Sequence, residues 1–344
     1  MDETPRPPRR KRYAGKNPRR FEEKYKELDP ERHAGTVEKV LEAGKTPAGM
    51  HVPILVAESL EALKLEPGSV GIDATLGHGG HARAILGKIA PGGRLIGLDV
   101  DPIEQPKTVA RLRAAGHGEE SFVAVRSNYA GIRKVLDSLG IDAVDFIFAD
   151  LGCSSMQFDD PSRGFSFKTA GPLDMRMNPE RGIAAGDWLA KVDRAKLAEA
   201  LHGNADEPHA EEIAAVLAGR RFADTRGLAA AIRAVPALAR LDDERVELAV
   251  RRVFQAVRIA VNEEFPALDA FLRLLPACLK PGGRVAVLSF HSGEDRRVKK
   301  AFQQGEREGA YARVSDGVTV AGPDERRANP RSAPAKLRWA VRAG

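Results

Sequence analysis

The 344-residue chain predicts an α/β fold: a mostly parallel sheet with a block of helices inserted into it. Three observations carry that prediction. Apolar strand-like runs alternate with helical periodicity from residue 70 to residue 150, the pattern of βαβ units. Residues 156–250 break the rhythm, with helical spacing, many alanines and no convincing strand. A further apolar strand then returns after Pro281-Gly282-Gly283. With 43% apolar and 30% charged residues, the chain can supply a sizeable core.

The elements follow in order. Residues 1–20 hold eight Lys/Arg against Asp2 and Glu3, so the whole formal excess of +6 sits in this arm. Such a Pro- and Arg-rich segment cannot bury enough apolar surface to fold, and it suits phosphate contacts or simple solvation. Residues 20–50 read as a polar helical stretch that breaks at Thr46-Pro47-Ala48-Gly49. Residues 1–50 are therefore expected to be a basic, partly disordered extension, and the folded body to start at His51. Its first part, 51–155, carries strands at 70–75, 94–99, 122–125 and 143–150, with a helix at 81–89. The helical insertion spans 156–250 and the second part of the core 251–344. That last part opens on an amphipathic helix at 250–262, whose buried stripe is Val250, Val253, Phe254, Val257 and Val261. A fifth strand follows at 284–290 and an edge strand at 335–341.

Composition excludes several classes. No apolar run approaches the roughly 20 residues that span a bilayer. No hydrophobic stretch follows the N-terminal charges, so a secretory signal is not expected and the cytoplasm is the expected location. Two cysteines, Cys153 and Cys278, make neither a disulfide framework nor a four-ligand zinc site. His78 and His81 have H-x-x-H spacing but sit in a glycine turn without a third ligand, so no metal is expected.

The chemistry gathers at strand ends. Asp73-Ala-Thr-Leu-Gly77-His-Gly79-Gly80-His81 joins the first strand to a helix, where glycines let a ligand approach the backbone. Gly77, Gly79 and Ala82 also satisfy a loose dinucleotide-binding pattern. Asp99 ends the second strand, 22 residues after Gly77, where a carboxylate can hold both hydroxyls of a ribose. Asp73 would repel a pyrophosphate but tolerates the cationic end of S-adenosylmethionine, which favours a methyl donor over a nicotinamide. Asp150, ending the fourth strand, belongs beside the cofactor and can hold an exocyclic amine. Ser154 and Ser155 follow it closely. Phe158, Phe165 and Phe167 interleave with Arg163 and Lys168, a pattern that suits either a flipped base or packing on the helical insertion. Cys153 lacks a visible partner base, and His291 is a proton acceptor or a satisfied polar residue.

These segments together resemble the bacterial RsmH (MraW) family of small-subunit ribosomal RNA cytosine-N4 methyltransferases. The matching stretches run in family order over about residues 51–340. They include His51-Val-Pro-Ile-Leu, the Asp73 to His81 segment, Leu98-Asp99 and Asp150-Leu-Gly-Cys-Ser-Ser-Met-Gln157. Further matches are Asp159-Asp160, Arg163-Gly-Phe-Ser-Phe and Gly171-Pro-Leu-Asp-Met-Arg-Met177. Phe254-Gln-Ala-Val-Arg-Ile-Ala-Val-Asn262, Ser289-Phe-His-Ser with Glu294-Asp295-Arg296, and Asn329-Pro-Arg-Ser with Ala335-Lys-Leu-Arg338 complete the set. The Gly-Pro-Leu-Asp-Met-Arg-Met run has no generic fold-level reason to exist.

The resemblance implies a class I (Rossmann-like) S-adenosylmethionine-dependent methyltransferase sheet with a helical domain inserted after the fourth strand, and residues 156–250 of that insertion are expected to recognise the substrate. It implies cofactor contacts at Gly79, Gly80, His81, Asp99, Tyr129, Asp150 and Gln157. Catalysis is expected around Asp150, Ser154 and Ser155, and RNA contacts at Phe165, Phe167, Arg176, Arg258 and His291. The implied reaction methylates the exocyclic N4 of a cytosine in the decoding centre of 16S ribosomal RNA, so the expected partner is that RNA or the small ribosomal subunit. Three departures stand out: the basic N-terminal extension, Gly203-Asn-Ala-Asp-Glu-Pro-His209 in the insertion, and Glu247-Leu-Ala-Val-Arg251 before Phe254. The alternatives are a methyltransferase of this fold with another target, a non-catalytic RNA-binding factor and a nicotinamide oxidoreductase.

Overall fold

A computed structural model describes residues 53–344. The expectations for the basic arm, the 20–50 stretch and the start at His51 lie outside the described residues. Strand–helix repeats open the body: α1 (Val56–Leu63), β1 (Val70–Asp73), α2 (Gly80–Ile89), β2 (Arg94–Asp99), α3 (Glu104–Ala114), β3 (Phe122–Arg126), α4 (Ile132–Ser138) and β4 (Val144–Asp150). After the short α5 (Ser155–Asp159) come α6 (Ala185–Lys191), α7 (Arg194–Ala205), α8 (Ala210–Leu217), α9 (Thr225–Arg233) and α10 (Asp243–Val261). The chain returns to the sheet through α11 (Glu264–Cys278), β5 (Leu279–Ser289), α12 (Ser292–Arg307), β6 (Tyr311–Val314), α13 (Pro323–Ala328) and β7 (Lys336–Arg342).

The seven described strands lie in the order β3-β2-β1-β4-β5-β7-β6. β1 pairs in parallel with β2 and β4, β2 with β3, and β4 with β5. β7 runs antiparallel to β5 and β6. The chain builds outward from β1 to β3, then crosses back to lay β4 on the other side of β1. That reversal opens a crevice at the carboxyl ends of β1 and β4, where open α/β sheets hold their ligands.

Both faces of the sheet are apolar because both are covered. Ile147 and Ala149 of β4 pack with Phe271, Leu272 and Leu275 of α11. Phe146 and Phe148 pack on the opposite face with Ile85, Leu86 and Ile89 of α2. The helical insertion buries a separate core, including Leu189, Leu197, Leu201, Ile213, Leu228 and Ile232.

Several boundaries differ from the sequence expectations, among them the start of β5, which lies at Leu279 rather than at 284. α10 begins at Asp243, ahead of the apolar stripe, because Asp242 accepts the Arg245 N–H at 2.8 Å and caps the helix. It runs unbroken through the expected 250/251 division, and Val253, Phe254 and Val257 belong to the core of the insertion. β6 was not expected. It has four residues, and its two central positions are exposed, so no apolar alternation marks it.

Candidate active site

The turn after β1 brings the ligand-facing backbone into place. Gly79 caps α2 in the left-handed region at φ 85°, without a side-chain cap. A Cβ on Gly80 would lie 2.9 Å from Pro53 Cγ, so the turn packs directly on the start of the described chain. His81 sits below it. Its Nε2 donates to the Ile54 carbonyl at 2.9 Å, and its ring centroid lies 4.5 Å from that of Phe148. Burial pushes the His81 pKa down to about 4, so the ring is neutral at physiological pH.

Three carboxyls converge on the switch point. Asp73 is 1% exposed, and burial, with Asp99 nearby, raises its pKa to about 7. Asp99 rises to about 6 through burial, even though it accepts N–H bonds from Gly77 (2.7 Å) and Asp101 (2.8 Å). Asp150 rises to about 8, first through burial and then through the acids Asp73 and Glu294. Its side chain keeps 30% of its surface open, and its Oδ2 lies 3.6 Å from His81 Nδ1. The Asp150 N–H donates to Thr75 Oγ1 at 2.6 Å, and the Thr75 N–H donates to Asp73 Oδ1 at 3.1 Å, tying the ends of β4 and β1 together. Burying this much like charge is unfavourable without a cation. The charge set therefore fits the cationic methyl donor expected from the sequence.

A second layer fixes the loop after β4. The Ser154 hydroxyl accepts the Gln157 N–H at 3.3 Å, and the Gln157 amide oxygen accepts the Ser154 N–H at 3.0 Å, a capping box at the start of α5. Gln157 Nε2 then donates to Asp101 Oδ2 at 2.8 Å. The same oxygen receives an Arg163 guanidinium N–H at 2.8 Å. Both amide ends of Gln157 thus have partners inside the protein, Ser154 and Asp101. Asp101 and the structural role of Arg163 were missed in the sequence. The Asp-x-Asp spacing at 99 and 101 was their signal.

The residues expected to contact RNA divide. Phe165 is buried, with its ring centroid 6.2 Å from that of the exposed Phe158. Phe167 packs edge-on against Phe254 at 5.1 Å on the core of the insertion. Packing is therefore the role the fold gives both rings, and Phe158 is the exposed aromatic of this loop. Arg176 forms a two-pronged pair with Asp174 at 2.8 and 2.6 Å. Arg258 is buried rather than RNA-facing: it clamps Glu264 at 2.7 and 2.9 Å and donates to Cys153 Sγ at 3.2 Å. Its place on the polar side of α10 gave no hint of that partner six residues on. Burial raises the Cys153 thiol to about 11, with Arg258 opposing, which removes the thiolate a nucleophile needs. His291 Nδ1 accepts the Glu294 N–H at 3.4 Å and caps α12, while Nε2 lies 3.2 Å from Glu294 Oε1. Burial pushes Glu294 up, but His291, Arg258 and the Phe290 N–H outweigh it and hold that carboxylate down. Tyr129 packs on Phe271 at 5.2 Å, and its hydroxyl donates to the Glu264 carbonyl at 3.4 Å.

A parallel sheet with an acid at the end of each of β1, β2 and β4, around a glycine turn, defines a class of nucleoside-cofactor enzymes to which methyltransferases belong. Comparison with known proteins gives the particular family: the chain matches the MraW methylase family over residues 48–343 and belongs to it. It is an enzyme of the methyltransferase class, and the methyl donor of the family is S-adenosylmethionine. The ribosomal RNA small subunit methyltransferase H 1 of Lachnoclostridium phytofermentans is 46% identical, covering 97% of this chain and 93% of its own. The protein of the same name from Agathobacter rectalis is 45% identical over 100% of both chains. Ribosomal RNA small subunit methyltransferase H of Thioalkalivibrio sulfidiphilus is 39% identical over 98% of its own length but 86% of this chain. The N-terminal extension, read from the sequence as atypical, therefore has a counterpart in some relatives.

Proposed function

We propose that this enzyme transfers the methyl group of S-adenosylmethionine to the exocyclic N4 of a cytosine in the decoding centre of 16S ribosomal RNA. The relatives named above support small-subunit ribosomal RNA as the substrate. The observation that carries the chemistry is the acid cluster Asp73, Asp99 and Asp150 at the switch point. Asp99 would hold the ribose of the donor, and Tyr129 would lie against its adenine. Asp73 and Asp150 balance its positive charge. The bound donor supplies an activated methyl group on sulfur, so the protein's share of the work is alignment.

Asp150 has two tasks in this reading. Its carboxylate accepts a hydrogen bond from the cytosine amine and turns the nitrogen lone pair toward the methyl carbon. As the nitrogen–carbon bond forms and the carbon–sulfur bond breaks, the amine acquires positive charge and sheds a proton. A carboxyl raised toward neutral pH is a suitable acceptor for it. Ser154 and Ser155 follow Asp150 in the chain and would help hold the amine, although the Ser154 hydroxyl already accepts the Gln157 N–H. The reading also places the enzyme in the cytoplasm with its ribosomal substrate. Among the described residues, no helix is long and apolar enough to cross a membrane.

The test is methyl transfer from labelled S-adenosylmethionine to small subunits lacking the modification, read by nucleoside and oligonucleotide mass spectrometry. N4-methylcytidine at the decoding centre is the expected product, and a methyl group elsewhere would reassign the target. Asp150→Ala is expected to lower kcat by roughly a hundredfold or more. Near-full turnover by that variant would remove the role assigned to Asp150.

A further inference from the structure

Between the methyl-donor acid and the loop that follows α5 lies a buried polar junction. Asp101 is 1% exposed, Arg163 and Gln157 6% each. Asp101 stands two residues beyond Asp99, and its N–H donates to Asp99 Oδ1 at 2.8 Å. Its own Oδ1 accepts the Ile103 and Glu104 N–H groups at 2.8 and 3.3 Å. Oδ2 takes Gln157 and Arg163, each at 2.8 Å. From the far side of its guanidinium, Arg163 donates to the carbonyls of Arg176 (3.2 Å) and Met177 (2.9 Å). The Met175 N–H returns to the Arg163 carbonyl at 3.0 Å, and Met175 itself is held at φ 60°, a left-handed conformation unfavourable for a side chain. Three steps of contact thus run from the ribose acid to the Asp174–Met177 turn: Asp99 to Asp101, Asp101 to Arg163, and Arg163 to the Arg176 and Met177 carbonyls. The charge of Arg163 has its carboxylate partner in Asp101.

We propose that Arg163 is a positioning residue that makes RNA affinity depend on occupancy of the methyl-donor site. This inference rests on the proposed RNA substrate. A ligand hydroxyl on Asp99 joins the Gly77 and Asp101 N–H groups on one carboxylate and so bears on the placement of Asp101, which in turn orients Arg163 and the carbonyls of the Asp174–Met177 turn. The same turn closes on Asn262 at the end of α10, so it joins the cofactor crevice to the helical insertion. Coupling of this kind is reciprocal: whatever factor the donor adds to RNA affinity, RNA adds to donor affinity.

The experiment measures binding of full-length protein to unmodified small subunits with and without S-adenosylhomocysteine, which fills the site without turnover. Methyl transfer by the wild-type protein is the control for the substrate reading itself. Its failure there is separate from any result below. Wild type is expected to bind subunits roughly fivefold or more tightly with S-adenosylhomocysteine, with the same factor appearing in the reverse titration. Arg163→Lys keeps the charge but loses the fork that spans Asp101 and the two carbonyls. It is expected to bind S-adenosylhomocysteine alone within about threefold of wild type and to lose most of the coupling factor. Should the lysine variant not fold, the neutral pair Asp101→Asn with Arg163→Gln keeps polar groups at both positions without a lone buried charge. The expectation for it is the same loss. A wild-type subunit affinity indifferent to S-adenosylhomocysteine, or a variant that retains the full factor, would overturn the proposal.

Discussion

Asp150 shows how burial turns an ordinary carboxyl into one that responds near neutral pH. Its elevation to about 8, with Asp73 at about 7 and Asp99 at about 6, means that the donor-free crevice holds protons a solvated carboxyl would have lost. A cationic ligand favours the ionised acids, so its binding releases protons. S-adenosylmethionine affinity is expected to rise from pH 6 to pH 8, and calorimetry in buffers of different ionisation enthalpy should register the protons released. Affinity flat across that range would mean the acids are already ionised before binding. Stability runs the other way. Folded pKa values above the unfolded value of 3.8 make a contribution that is complete below that pH and is lost as pH rises through 6–8. The free protein is therefore expected to melt at lower temperature at pH 8 than at pH 6. Bound donor should flatten that slope, a pattern that differential scanning calorimetry can check.

At the scale of elements, α10 and the Asp174–Met177 turn depend on one side chain. Asn262 accepts the Met177 N–H at 2.7 Å and donates to the Met175 and Arg258 carbonyls at 2.8 and 2.9 Å. Three hydrogen bonds at a net of about 1 kcal/mol each put Asn262→Ala at a loss of about 2–3 kcal/mol. A lowered urea midpoint would show that loss, and KM for small subunits should rise more than KM for S-adenosylmethionine. Elements of this kind mark where sequence reading succeeds and where it stops. β1, β2, β4 and β5 were legible because each is a continuous apolar run ending in a turn signal, and their ends placed Asp73, Asp99 and Asp150 in one crevice. The partner of Arg258 was not legible. A polar stripe on an amphipathic helix predicts solvent, and only the αL turn at Glu263, φ 51°, swings Glu264 back under α10. Phe165 and Phe167 were ambiguous in the sequence for a related reason. Aromatic residues among arginines suit a base or a core equally, and the insertion core on which the half-buried Phe167 packs is assembled from residues far along the chain.

Taken as a whole molecule, charge is divided unevenly between the extension and the body. The eight Lys/Arg of residues 1–20 account for the entire formal excess of +6, so the remainder of the chain is neutral overall. A chain with so little net charge beyond residue 20 gains little from long-range attraction to RNA, and its acid crevice repels phosphate locally. Association with a polyanion is therefore expected of the arm, whose cations would displace counterions in a salt-dependent and sequence-tolerant way. Deleting residues 1–20 is expected to weaken subunit binding most at low salt. If about half of the eight cations meet phosphates, the slope of log affinity against log salt should become shallower by roughly 3. Affinity for free S-adenosylmethionine should stay within about twofold, because the acids proposed to face it lie outside residues 1–20 and salt screens exposed charge. Filter-binding titrations between 50 and 300 mM salt, at about those limits, give both the affinity and the slope. An unchanged slope would move the phosphate contacts onto the folded body, where the exposed faces of Arg226, Arg296 and Arg331 would be the next residues to neutralise.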